Sequence, residues 1–174
     1  MRILSVIKLV IHATFLNICL FSQAYSFDTK ARAAYVIDQT SGTVLLSKNS
    51  DLPLPPASMS KLMTLYMTFE FIEAGRLGLD EKLPVSKNAA NYTGSTMFLN
   101  PTDRVTVLDL LRGIIVLSGN DACAVIAETL SPDGTEAGFA KIMTERGKQL
   151  GLENSTFKNS NGWPADGHQM SVRD

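Results

Sequence analysis

The hydrophobic pattern of the chain changes its period at Ser58, and this change restricts the folds that the chain can adopt. Residues 33–38 and 43–47 are short β-rich runs, and the polar turn 39–42 between them predicts a β-hairpin. From Ser58 onward, apolar residues recur at helical spacing. A lone hairpin cannot cover its own apolar face, because stable sheets usually have more strands. We therefore expect an α+β fold of which this chain is the N-terminal part, with the remaining sheet strands missing.

Five segments after residue 57 are predicted to be helical. The first starts at Ser58 and ends where Gly75 breaks the pattern. Thr106 and Asp109 have the spacing of a capping box and open a long apolar helix. The predicted helices are 58–74, 86–90, 106–117, 121–130 and 135–150, and residues 154–174 are predicted to form a loop.

The first 24 residues have the three parts of a secretory signal peptide. Arg2 and Lys8 supply the positive charge, residues 9–21 are mostly apolar, and residues 22–24 end in a small-residue cleavage pattern. Cleavage after Ser26 and an uncleaved membrane anchor are the alternatives. We expect residues 25–174 to be a truncated catalytic domain that is exported to the periplasm or to the outer face of the cytoplasmic membrane.

Composition excludes several classes of protein. Hydrophobic residues make up 45% and charged residues 19%, which excludes global disorder. The net charge of −1 gives no support for a nucleic-acid partner, and the acidic residues show no metal-ligand spacing. Removal of residues 1–24 would leave Cys123 as the only cysteine, so the exported chain cannot form an internal disulfide. The position of Cys123 in an apolar run predicts that it is a core residue.

Ser58 and Lys61 are the candidate catalytic pair. Side chains three residues apart share a helical face, so the hydroxyl and the amine can meet. A serine needs a base to become a nucleophile, and lysine can serve when burial and the helix N-terminus lower its pKa. Free N–H groups at a helix start can also stabilise an oxyanion. The alternative makes Ser58 a helix N-cap and Lys61 a solvated residue.

Neither of the short motifs is specific by itself. Ser-x-x-Lys also occurs at Ser5 and Ser155, and Ser-x-Asn occurs three times. Only Ser58 follows Pro-Pro-Ala and opens a strong apolar helix, and only Ser118–Asn120 lies between two apolar helices. This second tripeptide either places a hydroxyl and a carboxamide in the cleft or is a plain turn with Asn120 as N-cap.

Several ordered motifs together resemble the D-alanyl-D-alanine carboxypeptidases, which are low-molecular-mass penicillin-binding proteins of serine peptidase family S11. The stretches that carry the resemblance cover almost the whole of residues 25–174. They are 29–33, the hairpin turn from Asp38 to Gly42, 56–64, 94–99, 117–123, 143–157 in part, 162–163 and 171–174.

The resemblance implies a β-lactamase/transpeptidase-like fold, with a hairpin beside a helical subdomain, and a serine hydrolase. Ser58 would attack the D-Ala–D-Ala carbonyl of a peptidoglycan stem pentapeptide and form an acyl-enzyme. Lys61 would be the general base, Ser118 would belong to the second catalytic motif, and Asn120 would bind substrate. β-Lactams would acylate Ser58, and no metal or organic cofactor would be needed.

One family motif is absent from the sequence. The third motif, Lys-Thr-Gly or Lys-Ser-Gly, is not found in these 174 residues. We therefore expect that the 174-residue product is inactive alone, and that any membrane anchor lies beyond residue 174. A serine β-lactamase is less favoured because it would have Ser-Asp-Asn in place of Ser118–Asn120. A non-catalytic peptidoglycan-binding protein also remains an alternative, and His168 is expected to have a surface or structural role.

Overall fold

The computed structural model describes Phe27 and residues 29–174, so the predicted signal peptide lies outside the described residues. Ala33–Asp174 form one unit, whose elements are named in chain order. They are β1 (Ala34–Ile37), β2 (Val44–Lys48), a 3-10 turn (Ala57–Ser60), α1 (Lys61–Glu73), β3 (Lys82–Pro84), α2 (Lys87–Ala90), β4 (Arg104–Thr106), α3 (Val107–Leu117), α4 (Asn120–Leu130) and α5 (Glu136–Gln149).

The predicted β-hairpin is confirmed. β1 and β2 pair antiparallel, with Ala34 opposite Lys48, and the register shifts after Val36. The Asp38 carboxylate closes the turn by accepting from the backbone N–H of Thr40, as in an Asx-turn. Hydrogen bonds to the turn backbone, the largest cause, lower the pKa of Asp38 because they favour its charged form.

A second two-stranded sheet was not predicted from the sequence. β3 and β4 pair antiparallel, with Leu83 opposite Val105. Each strand has three residues, which is too short for alternation to show in the sequence. Leu83 is almost fully buried, so this sheet anchors one side of the helical core.

The hydrophobic core is centred on α4. This helix packs against α1, α2, α3 and α5, which explains why nearly all its residues are buried. Cys123 is fully buried there, as predicted. Two of the largest fully buried side chains, Phe139 and Met143, come from α5. Burial of side chains of this size stabilises a fold by about 1.5–3 kcal/mol each before chain entropy is counted.

Side-chain caps start the helices where the sequence indicates them. Thr106 accepts a hydrogen bond from the N–H of Asp109 at the start of α3. Thr135 caps α5 through the N–H of Gly138, and Ser86 caps α2. Each cap satisfies a backbone donor that the first helical turn leaves free.

Residues 154–174 form the predicted loop, and two short bridges hold it to the rest of the unit. Met170 pairs with Leu54, next to the proline-rich entry to the 3-10 turn, and Thr156 pairs with Gln169. The loop therefore returns to the start of α1, which brings residues 158–168 close to Ser58.

An apolar groove of about 600 Å³ lies between the hairpin, α1 and the end of the loop. Tyr35, Met59, Leu62, Tyr66 and Met170 are among its lining residues. Met59 is 55% exposed in this groove, whereas Met63 and Met67 of α1 are buried in the core. Within the described part of the chain, no helix is long and apolar enough to cross a membrane.

Candidate active site

Ser58 and Lys61 meet at the junction of the 3-10 turn and α1. Lys61 Nζ lies 3.0 Å from Ser58 Oγ. Lys61 Nζ also donates to the backbone carbonyl of Asn161 over 2.8 Å. The amine is therefore held from two sides, by the hydroxyl that it could deprotonate and by a carbonyl that orients it.

Burial is the main influence on the pKa of Lys61. The residue is only 4% exposed, whereas Ser58 is exposed to the solvent. Burial lowers the pKa of Lys61 below its ordinary value of 10.5, because a buried ammonium loses hydration. The nearby Cys123 on α4 has a smaller, opposite effect. The alternative of a solvated Lys61 is therefore wrong.

The backbone of the 3-10 turn is strained at Ala57, where Gly162 packs against it. Ala57 has φ +49°, a left-handed conformation that is costly for a residue with a Cβ. Gly162 packs against it so closely that a Cβ on Gly162 would lie 1.7 Å from the Ala57 carbonyl oxygen. Strained backbone of this kind is often found at functional sites.

The Asn161 carbonyl is held in place by a dense local network. Asn159 Oδ1 accepts from the N–H of Gly162 over 2.8 Å, and Asn159 Nδ2 donates to the Trp163 carbonyl. Asn161 Oδ1 accepts from the Trp163 N–H. Asn161 is 1% exposed, and among the described residues its Nδ2 has no acceptor. An unpaired buried donor costs about 1–3 kcal/mol, so the loop is not shaped for stability alone.

Glu136 and Thr64 hold Ser160, which precedes Asn161 in the loop. The Glu136 carboxylate accepts from the N–H and the hydroxyl of Ser160. Thr64, one helical turn after Lys61, donates to the Ser160 carbonyl over 2.6 Å. The position of the Asn161 carbonyl relative to Lys61 is thereby tied to both α1 and α5.

Ser118 ends α3 in a left-handed conformation, with φ +57°. The backbone N–H groups of Ser118 and Gly119 both point to the Gly113 carbonyl, so α3 ends in a turn wider than a regular helical one. Among the described residues, no hydrogen bond joins the Ser118 hydroxyl to Ser58 or Lys61. The structure therefore shows a strained, half-buried serine between two helices, not a completed contact with the pair.

Asn120 is the first residue of α4, and its side chain does not cap the helix. Its Nδ2 donates to the Thr93 carbonyl over 2.9 Å, and its N–H donates to the Ser95 carbonyl. Among the residues that the structure describes, no hydrogen bond to its side-chain oxygen is found, so this oxygen is available to accept from a further N–H donor. The alternative with Asn120 as N-cap is wrong, because Gly119 occupies that position.

Asp121 anchors the loop that borders Asn120. Its buried carboxylate accepts from the N–H groups of Met97 and Leu99 over 3.0 and 3.1 Å. Carboxylate hydrogen bonds are stronger than neutral ones, so Asp121 ties the 94–99 loop firmly to α4.

His168 is buried, and its Nε2 lies 2.8 Å from Ser60 Oγ. The surface position considered for it is therefore wrong, because the ring lies inside the unit. Burial raises the pKa of the Cys123 thiol and keeps it protonated.

Across residues 29–174, no three His, Cys, Asp or Glu side chains are grouped in a way that could hold a metal ion.

Sequence reasoning missed the residues that support the pair. Asn161 and Gly162 act through the backbone, which carries no residue-type signal at the active site. The run 158–163 contains two asparagines, a serine and a glycine, a composition typical of side-chain-to-backbone hydrogen bonding. That composition was the available indication of an ordered loop.

Comparison with known proteins places the chain in a family. The family model described as D-alanyl-D-alanine carboxypeptidase, peptidase S11, matches residues 21–174. The chain belongs to the peptidase S11 family. It is 41% identical over 145 residues to the D-alanyl-D-alanine carboxypeptidase DacF of Bacillus subtilis, and 39% identical over 150 residues to DacC of Escherichia coli.

Solved structures of similar proteins have the same fold. DacD from Francisella tularensis superposes on 87% of this chain with a TM-score of 0.82 and 33% identity. Penicillin-binding protein D2 from Listeria monocytogenes, in its ampicillin-bound form, gives a TM-score of 0.71 at 30% identity over 82% of the chain. The penicillin-binding, transpeptidase-like α+β fold is thus confirmed.

The match covers the chain much more fully than it covers its relatives. Each of these two curated relatives is matched over 83% of this chain and 37% of its own length. The structural matches cover 36% of DacD and 57% of penicillin-binding protein D2.

Proposed function

We propose that this S11 family protein is a serine-type D-Ala-D-Ala carboxypeptidase that removes the terminal D-alanine from peptidoglycan stem pentapeptides. One observation carries the proposal: the exposed Ser58 hydroxyl lies 3.0 Å from the amine of the buried Lys61. This distance lies within the range at which a general base takes a proton from its nucleophile.

Acylation follows from this geometry. The Ser58 proton passes to neutral Lys61 Nζ while Oγ forms a bond to the carbonyl carbon of the penultimate D-alanine. The C–N bond to the terminal D-alanine then breaks, and its nitrogen receives the proton from Lys61. Water releases the shortened peptide from the Ser58 ester, and the hydroxyl recovers its proton.

The second motif has supporting roles in this proposal. Ser118 relays protons at the edge of the cleft, and Asn120 binds the substrate amide through its side-chain oxygen. Backbone N–H groups at the start of the turn stabilise the oxyanion, because the positive end of the helix dipole lies there. Neither metal nor organic cofactor takes part.

β-Lactams are the covalent inhibitors that this mechanism predicts, because they present a strained amide to Ser58. Peptidoglycan places the substrate outside the cytoplasm, which agrees with the signal-peptide pattern of residues 1–24. We propose that the protein is exported to the periplasm or the outer face of the cytoplasmic membrane. It binds no nucleic acid.

The 174-residue chain is proposed to be inactive alone. The sequence contains no Lys-Thr-Gly or Lys-Ser-Gly, which in the family supplies a carboxylate site and an oxyanion donor. Release of D-alanine from a pentapeptide by the purified 174-residue chain would contradict this part of the proposal and leave the role of Ser58 standing.

The test of function uses the complete gene product, a fluorescent penicillin and a D-Ala-D-Ala pentapeptide. We expect one penicillin per protein, located on Ser58 by peptide mapping, together with D-alanine release. Ser58→Ala should abolish both, and Lys61→Met should slow acylation by at least about 10²-fold, since a general base typically contributes that much.

Ser155→Ala is the matched control, because Ser155 and Lys158 have the same Ser-x-x-Lys spacing. The Ser155 hydroxyl donates to the Asp174 carboxylate and has no part in the proposed chemistry. Its replacement should leave penicillin labelling unchanged. Labelling that survives Ser58→Ala, or a complete protein that takes up no penicillin and releases no D-alanine, would refute the proposed function.

A further inference from the structure

His168 lies beneath the turn that carries the proposed nucleophile, and both of its ring nitrogens are engaged. Nδ1 accepts a hydrogen bond from the backbone N–H of Lys158 over 3.3 Å. A backbone N–H can only donate, so Nδ1 carries no proton and the neutral ring is protonated at Nε2. Nε2–H therefore donates to Ser60 Oγ, 2.8 Å away.

Ser60 connects this histidine to the catalytic pair. It is fully buried and stands between Ser58 and Lys61 in the chain. Its hydroxyl is enclosed on another side by Gly162, where a Cβ would lie 3.1 Å from Ser60 Oγ. A displacement of Ser60 thus changes the turn between the nucleophile and its base.

We propose that His168 is a positioning residue, which holds Ser60 so that Ser58 Oγ stays within hydrogen-bonding distance of Lys61 Nζ. The proposal rests on the proposed function for its catalytic consequence. His168 does not touch the reacting atoms, and its effect on them passes through Ser60.

Packing alone does not fix the His168 ring. Its edge-to-face contact with Phe157 supports one side, at a ring-centroid distance of 5.9 Å. A cavity of about 180 Å³ borders it on the side of Pro55, Pro56 and Ala57. Because open space adjoins the ring, the two hydrogen bonds select its position.

The neutral ring is a requirement of this arrangement. An imidazolium carries a proton at Nδ1, and this proton would face the backbone N–H of Lys158. Two donors cannot bond to each other, so the hydrogen bond from Lys158 to Nδ1 would be lost. Burial lowers the pKa of His168, Glu136 opposes this effect, and Lys158 reinforces it. Acylation should therefore decline when the pH falls far enough to protonate the ring.

The experiment measures the second-order rate of Ser58 acylation by fluorescent penicillin in the complete protein. His168→Gln keeps an acceptor and a donor without a titrating group, whereas His168→Phe keeps a ring and removes both hydrogen bonds. We expect His168→Gln to stay within about threefold of the parent at pH 7.5. His168→Phe should lose about tenfold, the range of the one lost hydrogen bond that reaches Ser60.

Ser60→Ala should cost the same factor as His168→Phe, and combining the two should cost no more, since they remove one interaction. Thr68→Ala is the matched control, because Thr68 is a fully buried hydroxyl in α1 whose hydrogen bond runs to the Thr64 carbonyl. This control should acylate at the parental rate. Below about pH 6.5, the parent should lose rate more steeply than His168→Gln.

Parental acylation by His168→Phe, or equal acid limbs for the parent and His168→Gln, would overturn the proposal. Nitrogen-15 NMR of the His168 ring gives a readout that needs no activity. It should show a protonated Nε2 and a bare Nδ1, with the Nε2 signal moved in Ser60→Ala. A protonated Nδ1 at neutral pH would also overturn it. A parent that takes up no penicillin would refute the proposed function, and NMR would still decide the Ser60 contact.

Discussion

Gly162→Ala should displace the turn that carries Ser58 and also destabilise the fold. Gly162 has φ +84°, and an added Cβ would lie 1.7 Å from the Ala57 carbonyl oxygen and 2.3 Å from its carbon. Both are backbone atoms, which cannot rotate away as a side chain would. To restore a separation of about 3.0 Å, the two segments must move apart by about 1.3 Å.

Two costs add in this variant. The left-handed φ costs about 1–2 kcal/mol for a residue with a Cβ, and overpacking costs typically about 1–3 kcal/mol more. We therefore expect the free energy of unfolding to fall by about 2–5 kcal/mol. A displacement of about 1 Å at a reacting group can cost about 10²-fold in rate, so Ser58 acylation should fall by that order.

Gly151→Ala is the matched control for backbone strain. Gly151 has φ +90°, and a Cβ there would meet no atom within 4 Å. It should lose only the strain cost of about 1–2 kcal/mol and keep the parental acylation rate. The assays are urea unfolding and fluorescent-penicillin acylation of the complete protein. If the two variants unfold alike and acylate alike, the contact between Gly162 and Ala57 does not shape the turn.

Three further predictions concern charge and burial. Acylation should rise with pH through the pKa of Lys61, with a midpoint below 10.5 because burial lowers that pKa; a midpoint at or above 10.5 would contradict this. The same lowered pKa should make the free energy of unfolding increase as the pH rises toward 10.5. In that range the unfolded chain keeps the Lys61 proton that the folded chain loses. Asp121→Asn should reduce the free energy of unfolding by about 1.5–3 kcal/mol, measured by urea unfolding, because it weakens the charged anchor of the 94–99 loop. Unchanged stability would show that the anchor is dispensable. Cys123 should resist thiol reagents in the folded protein and react after denaturation, as followed by mass spectrometry; prompt labelling of the native state would contradict its burial.

Regular elements were predictable where local rules agree with packing. The hairpin turn around Asp38, the cap at Thr106 and the apolar run of α4 each have a sequence signal that tertiary structure reinforces. The β3–β4 sheet had no such signal, because three-residue strands are specified by their neighbours rather than by their own pattern.

The site was predictable only as far as side chains define it. Ser58 and Lys61 are three residues apart on one helical start, so local geometry brings them together. The carbonyl that orients Lys61 comes from Asn161, 100 residues away in sequence. Such a contact follows from the return of the 154–174 loop to α1, which no local pattern records. The contact of His168 with Ser60 was not predictable for the same reason, since the two residues are 108 positions apart.

The Asn161–Gly162 pair also exposes the site to deamidation. It is the one Asn-Gly dipeptide in the sequence, and such dipeptides deamidate readily when the glycine nitrogen can reach the asparagine side chain. Here that nitrogen is held by Asn159 Oδ1, and the Asn161 side chain is buried and bound to the Trp163 N–H. Cyclisation must wait for local opening of the loop. The isoaspartate product of such an event would lengthen the backbone at the carbonyl that Lys61 uses, so the fold protects the site from chemical damage for as long as the loop stays closed.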